Sequence, residues 1–121
     1  MTPLLVLGIG VVGGVGAIAR FTLDSAVSDA AGRDFPYGTL LVNLTGAFAL
    51  GLIMGAAVGI NDYRLEGTGF IGAFTTFSTW AFESHRLGED GQLRAGVLNL
   101  LVSLVLGVAA AWAGRALGGA L

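Results

Sequence analysis

Four hydroxyls crowd one charge-free stretch of the chain. In "GFIGAFTTFSTW", residues 69–80, Thr75, Thr76, Ser78 and Thr79 surround Phe77, and no side chain carries a charge. Polar groups recur elsewhere at one-turn spacing: Thr39 with Asn43, and Asn99 with Ser103, Gly107 lying a further turn on. Residues four apart share a helix face. The two stripes and the hydroxyl run could together supply a track of hydrogen-bond donors. A lone Ser or Thr in an apolar helix ordinarily bonds back to its own helix carbonyl. Asn43 is different, because its amide offers two donors and an acceptor, more than its own helix can satisfy.

That track has a definite chemical bias. It holds no carboxylate at its centre, so a cation finds no charged partner there. Donors and rings dominate. The edge of an aromatic ring is the positive part of its quadrupole, so Phe77 turned edge-on could favour an anion. Such an anion would be small and strongly hydrogen-bonding, since the donors must replace its water shell. Ordinary packing is the commoner fate of Phe74, Phe77 and Trp80, and spacing does not separate the two. The run also threatens its own helix. Thr is stiff at χ1 and competes for backbone groups, and Gly72 weakens the turn just upstream. A break at membrane depth is tolerable only where the freed carbonyls are buried in protein or bind something. Unwound helices use such carbonyls to hold cations.

The elements that must carry these groups are transmembrane helices. The chain has 121 residues, of which 55% are hydrophobic and 12% charged, about half the ~25% charged content of soluble domains. Residues 1–19, 35–61, 67–82 and 95–114 contain no charge at all. Each gap is close to the roughly 17–25 residues that a helix needs to span a bilayer. The expectation is a multi-pass, all-α protein of the cell membrane: four helices in one domain over 1–121, the third of them broken. Helix 1 runs from about Thr2 into the mid-twenties, with helical spacing continuing to Ala30, and Gly32 ends it. Pro36 opens helix 2, where its missing N–H costs little, and that helix reaches about Gly59. "INDYRLEG" (60–67) reads as a turn, Leu65 to Arg86 as helix 3, 87–92 as a loop, and Leu93 to Leu117 as helix 4.

Twenty-one glycines lie mostly within these helices, where small residues let backbones approach closely. Gly10 and Gly14, Gly51 and Gly55, Gly55 and Gly59, and Gly114 and Gly118 share four-residue spacing. The arginines are nearly balanced across the membrane. Arg20, Arg33, Arg86 and Arg94 lie on one side, with Arg64, Arg115 and the terminal amine on the other. That bias is too small to fix orientation by the positive-inside rule. Insertion in both orientations is expected, which would permit an antiparallel homodimer. Four short helices enclose little interior, so a pathway would need the second subunit.

Several classes are disfavoured. There is no cysteine, hence no disulfide and no thiolate metal site. A net charge of −2 offers no basic footprint for nucleic acid. His85 is the only histidine and stands near a helix end without partners, so enzymatic chemistry is poorly supported.

The residues also resemble a family. "GGVGAIARF" (13–21), "PYGTLLVNLTGAFALG" (36–51), "GFIGAFTTFSTWAFE" (69–83) and "NLLVSLVLG" (99–107) are similar, in order and at matching spacing, to the Fluc or CrcB-type fluoride channels. The resemblance implies an antiparallel, dual-topology homodimer that passively exports fluoride through two pathways, with a structural sodium ion at its centre. Carried over by position, backbone carbonyls of Gly72 and Thr75 from both subunits would hold the Na+. Asn43 would donate to fluoride, with Phe77 as one ring of an aromatic pair and Ser78, Thr79 and Ser103 along the path. Arg20 matches the family's helix 1 arginine and Glu83 a polar position at the end of helix 3. Three positions depart from the pattern. Trp80 stands where the second ring is usually Phe, and its indole N–H could donate directly. Gly107 replaces a frequent hydroxyl, and Ala73 a frequent glycine.

Two other readings compete. A small proton-coupled exporter would share length, helix count and dual topology, but needs a carboxylate deep in helix 1. Residues 1–23 contain no Asp or Glu. A non-transporting assembly subunit would explain the glycine pairs but not Asn43, Asn99 and the hydroxyl run.

Overall fold

The computed structural model describes residues 1–121 and is entirely helical. Helix α1 spans Pro3–Ala31. The Thr2 hydroxyl accepts the Leu5 N–H at 3.1 Å at its start, and Pro3 occupies the first turn, where no N–H is missed. Gly32, at φ +89°, closes it. Helix α2 is Tyr37–Gly55, and a short α3, Ile60–Tyr63, leads into a π-helix, Arg64–Ile71. Then come α4, Gly72–Phe74, α5, Ser78–Glu89, and α6, Leu93–Gly119. By length and composition α1, α2 and α6 are each apolar enough to cross a bilayer. The third crossing is the composite: α3, the π-helix and α4 on one side of a break at residues 75–77, and α5 on the other.

Three boundaries differ from the sequence reading. Helix α5 runs on to Glu89, three residues into the expected loop, where the Asp90 N–H still bonds to the Arg86 carbonyl. Helix α2 stops at Gly55 rather than Gly59, because the chain turns at once. Ala57 takes φ +54°, a left-handed value uncommon outside glycine, and its N–H bonds to the Met54 carbonyl at 3.2 Å. With the reversal complete by Gly59, residues 60–67 are helix and not turn. Asp62 in the first turn suits a helix N-terminus. Gly67 and Gly69 resemble turn formers but serve close approach: a Cβ on Gly69 would sit 3.2 Å from the Ile9 carbonyl oxygen of α1.

Backbone-to-backbone packing holds the bundle. The most extensive pair is α2 with α6. Cβ atoms on Gly51 and Gly55 would strike backbone at Ala111 and Arg115, and on Gly114 and Gly118 would strike backbone at Phe48 and Leu52. Those two spaced pairs therefore interlock, as small residues do where lipid leaves no hydrophobic drive between helices. Gly10 and Gly14 face open space, so their spacing has no partner within the subunit. Helix α1 lies against the π-helix, with Gly16 under the Phe70 backbone. Gly96 brings α6 onto α5, where a Cβ would be 2.7 Å from the Ser84 carbonyl oxygen. Few large apolar side chains are buried (Val42, Ile71 and Phe74), whereas Leu4, Val11, Leu104, Val108 and Trp112 point outward, as lipid-facing residues do.

Candidate functional site

The break in the third crossing is pinned by one side chain. Thr75 turns extended, at φ −84° and ψ 160°, and the backbone of Thr76 pairs with Asn43 of α2. The Asn43 amide donates to the Thr76 carbonyl at 2.8 Å, and the Thr76 N–H donates back to Asn43 Oδ1 at 2.8 Å. An asparagine amide presents donor and acceptor side by side, as a peptide group does, so it replaces the backbone partner that the broken helix lost. One amide hydrogen of Asn43 stays uncommitted. Below the break, the Ile71 carbonyl accepts both the Thr75 N–H and the Thr75 hydroxyl, each at 3.0 Å. Above it, the Thr76 hydroxyl accepts the Thr79 N–H at 3.2 Å, tying off the start of α5.

The aromatics divide. Phe74 is buried and stacks on Phe70 with centroids 5.8 Å apart. Phe77 is 75% exposed and meets Trp80 edge-on, with centroids 5.2 Å apart and planes at 66°. The Trp80 indole N–H does not point to an open path; it donates to the Asn99 carbonyl at 3.3 Å. Asn99 anchors a small network between α5 and α6. Its amide donates to the Ser84 hydroxyl at 2.8 Å, which donates to the Trp80 carbonyl at 2.8 Å, while the Ser103 hydroxyl reaches Asn99 Oδ1 at 3.4 Å. Asn99 is 1% exposed, so this half of the helix 4 stripe is structural glue. Ser84 was not singled out from sequence, although its one-turn offset from Trp80 was there to be read.

Three adjoining spaces collect the remaining candidates. An open cleft of about 460 Å³ beside the break is lined by Asn43, Thr75, Thr76, Phe77, Trp80 and Ser103 together with an apolar wall that includes Leu50, Ile71, Leu104 and Val108. A cavity of about 180 Å³ shares Thr76 with it and adds Arg20, Asp24, Thr39 and Thr79. A third, about 310 Å³, shares Asp24 with the second and opens among Glu83, Arg33, Asp34, Arg86 and Asp90. The Thr39 hydroxyl donates to Glu83, so the last two spaces also meet through that pair. Ser78 and Gly72 are exposed, and the Ser78 hydroxyl lies 3.5 Å from that of Thr76. Asp24 and Thr76 link the three spaces; Thr76 belongs to the hydroxyl run read from the sequence, whereas Asp24 did not stand out from spacing.

A line of spaced polar groups beside a clamped helix break, opening into a largely apolar cleft, suits passage of a small polar species. Comparison with known proteins agrees with a transport role. Residues 7–115 match the family model described as CrcB-like protein, Camphor Resistance (CrcB). The chain is 52% identical over 118 residues, 97% of each chain, to "Fluoride-specific ion channel FluC 2" of Mycolicibacterium paratuberculosis. It is 48% identical to the protein of that name from Mycobacterium tuberculosis strain H37Rv, covering 95% of this chain and 91% of the relative. "Fluoride-specific ion channel FluC" of Geobacter sulfurreducens is 47% identical, over 90% and 92% of the two chains. With its helical crossings, the broken third among them, and a match running nearly end to end, the chain belongs to the CrcB family of multi-pass membrane proteins.

Proposed function

We propose that this chain is a fluoride-specific channel, a transport protein and not an enzyme, which passively exports fluoride and lowers its concentration in the cytoplasm. The observation that carries the reading is the line of three spaces joined at Thr76 and Asp24, in a chain whose close relatives bear the name of fluoride channels. Its lining suits fluoride, the smallest halide and the strongest hydrogen-bond acceptor among them. Hydroxyls of Thr76 and Thr79, the uncommitted hydrogen of Asn43, the Arg20 guanidinium and the exposed edge of Phe77 offer positive poles in succession, and Ser103, whose hydroxyl reaches Asn99, lines the same cleft. Ser78 flanks the same run, and Trp80 holds Phe77 edge-on.

The working unit is an antiparallel homodimer of dual topology with two pathways. The support is physical. The cleft at Asn43, Thr75 and Ser103 is open on one side, and a helix break beside it cannot face lipid without cost. A second copy covers it, and the near-even arginine distribution permits the opposite insertion. A structural sodium ion fits the same break. Helix α4 ends at Phe74, so its last-turn carbonyls lack helical partners and lie at the negative end of the dipole. Gly72 is exposed on that turn, and backbone oxygens of Gly72 and Thr75 would hold the ion. Its chemistry there is neutralisation of carbonyl dipoles brought together at the dimer centre.

The test is efflux from liposomes holding the purified protein, loaded with fluoride or with chloride and followed by ion-selective electrodes. Fast fluoride efflux with negligible chloride efflux is the expected outcome. A folded dimer that passes neither ion, or both equally, would overturn the reading.

A further inference from the structure

Three carboxylates of this bundle pair with a basic side chain four residues away. Asp29 pairs with Arg33 at 2.8 Å, Glu89 with His85 at 2.6 Å and Asp90 with Arg86 at 4.0 Å. Two others stand where the space of about 310 Å³, the outer cavity, adjoins that of about 180 Å³, the inner one: Asp24 lines both, and Glu83 lines the outer and meets Thr39 of the inner. Asp24 and Glu83 have no cationic group within 4.0 Å. Their partners are hydroxyls: Ser28 donates to Asp24 at 3.2 Å, and Thr39 donates to Glu83. Asp24 is moreover fixed in place. It lies against the start of α2 at Gly38, where an added Cβ would overlap its carboxylate and lie 2.8 Å from the Ser28 hydroxyl. Asp24 lines both cavities, and Arg20, one turn earlier on α1, lines the inner one.

For an anion this is an unfavourable place to put a carboxylate. Every other charge at the two cavities can be counted. Arg20 lies on α1, Arg33 and Asp34 on the connection after it, Glu83 and Arg86 on α5, and Asp90 just past its end. Helix α2 contributes no titratable group to either cavity and α6 only its neutral neighbour Gln92. The outer cup therefore holds four carboxylates against two guanidiniums, and the inner cavity one of each. Asp24 is the carboxylate common to both.

We propose that Asp24 is an access-limiting charge of the anion pathway, placed at the neck between outer and inner cavities so that it offsets Arg20 and holds down anion occupancy of the inner cavity. The inference rests on the fluoride reading given above. Its size follows from Coulomb's law. At the ~6 Å that separates side chains one helical turn apart, one unit charge changes occupancy about threefold in water-like surroundings and about tenfold where the effective dielectric is halved.

The experiment is fluoride efflux from liposomes at low fluoride, where access limits the rate, comparing the full-length protein with Asp24→Asn, Asp24→Ser and Asp24→Glu. Each is measured at about 0.01 M and about 1 M of an impermeant salt, between which the Debye length falls from ~30 Å to ~3 Å. Both neutral variants should run about threefold to tenfold faster than wild type at low salt. Their advantage should shrink toward parity at high salt, and Asp24→Glu, which keeps the charge, should show no such salt-dependent gain. Two neutral variants guard against one that fails to fold. Equal or slower flux from a folded neutral variant would overturn the proposal, as would a gain of the same factor at both salts, which would reflect shape and not charge. No flux from the wild type would overturn the fluoride reading itself; wild-type flux without a charge effect would overturn this inference alone.

Discussion

Replacing Asn43 isolates the clamp on the broken helix from everything else in the cleft. The side chain makes two hydrogen bonds at 2.8 Å to one residue, donating to the Thr76 carbonyl and accepting from its N–H. Asn43→Ala strands both backbone groups, and an unsatisfied polar group costs about 1–3 kcal/mol, or roughly 2–6 for the pair. Thr76 is half-buried, so water or the neighbouring hydroxyls recover part of this, and about 2–4 kcal/mol is the expected loss. Asn43→Asp is the informative companion. Its carboxylate still accepts from the Thr76 N–H but has no hydrogen for the carbonyl, which it repels instead. It should retain one of the two contacts and fall between wild type and Asn43→Ala, provided the introduced charge keeps access to the open cleft. Reversible unfolding in detergent gives the free energies, and hydrogen exchange at the Thr76 amide reports the clamp directly. Exchange should quicken in Asn43→Ala and stay slow in Asn43→Asp. An Asn43→Ala protein within about 0.5 kcal/mol of wild type, the usual range for an unimportant surface change, would refute the idea that Asn43 holds the break.

Three further outcomes follow from the geometry. Phe77→Ile removes the exposed ring edge but keeps an apolar side chain, so fluoride efflux should drop to background while size-exclusion chromatography still shows the assembled protein. Unchanged efflux would remove the ring from the pathway. Gly114→Val drives a side chain into the Phe48 backbone and should abolish the folded state by chromatography, whereas Gly10→Ala, in open space within α1, should raise the melting temperature by a few degrees, since glycine costs a helix interior about 0.5–1 kcal/mol against alanine. Trp80→Phe keeps the edge-on partner for Phe77 and loses only the bond to the Asn99 carbonyl, about 0.6 kcal/mol for a typical hydrogen bond between membrane helices. Its efflux should stay within about twofold of wild type, and a large loss would give the indole N–H a part in conduction.

Much of this molecule could be read from residue types. The charge-free stretches located the crossings, and "TTFST" located the break, because stiff, backbone-competing threonines after Gly72 are poor material for a continuous helix. The sequence could not say which glycines bring helices together. Gly51, Gly55, Gly114 and Gly118 interlock while Gly10 and Gly14 have the same spacing and touch nothing, since spacing defines a face but not what lies opposite. It also misjudged residues 60–67, because Gly67 and Gly69 carry the same letters whether they bend a chain or admit a neighbour. At the site, the need of Asn43 for a partner outside its own helix was legible, but not that the partner would be a peptide group. Trp80 looked like a donor toward the path, and only the fold shows Asn99 waiting for it across α6. Asp24 was invisible for a simpler reason: one carboxylate in a polar helix end means nothing until Gly38 packs against it.

The third crossing is ill equipped to enter a bilayer alone. Helices α1, α2 and α6 each have the length and composition to partition on their own, but α5 is 12 residues long and carries Glu83, His85, Arg86 and Glu89. During biosynthesis this segment must be drawn in by helices already present, and the glycine faces of α2 and α6 are the pair best able to meet first. The broken crossing is then the last to settle. On the channel reading proposed above, a chain caught halfway through assembly would have a membrane-embedded scaffold of α1, α2 and α6 but no finished passage.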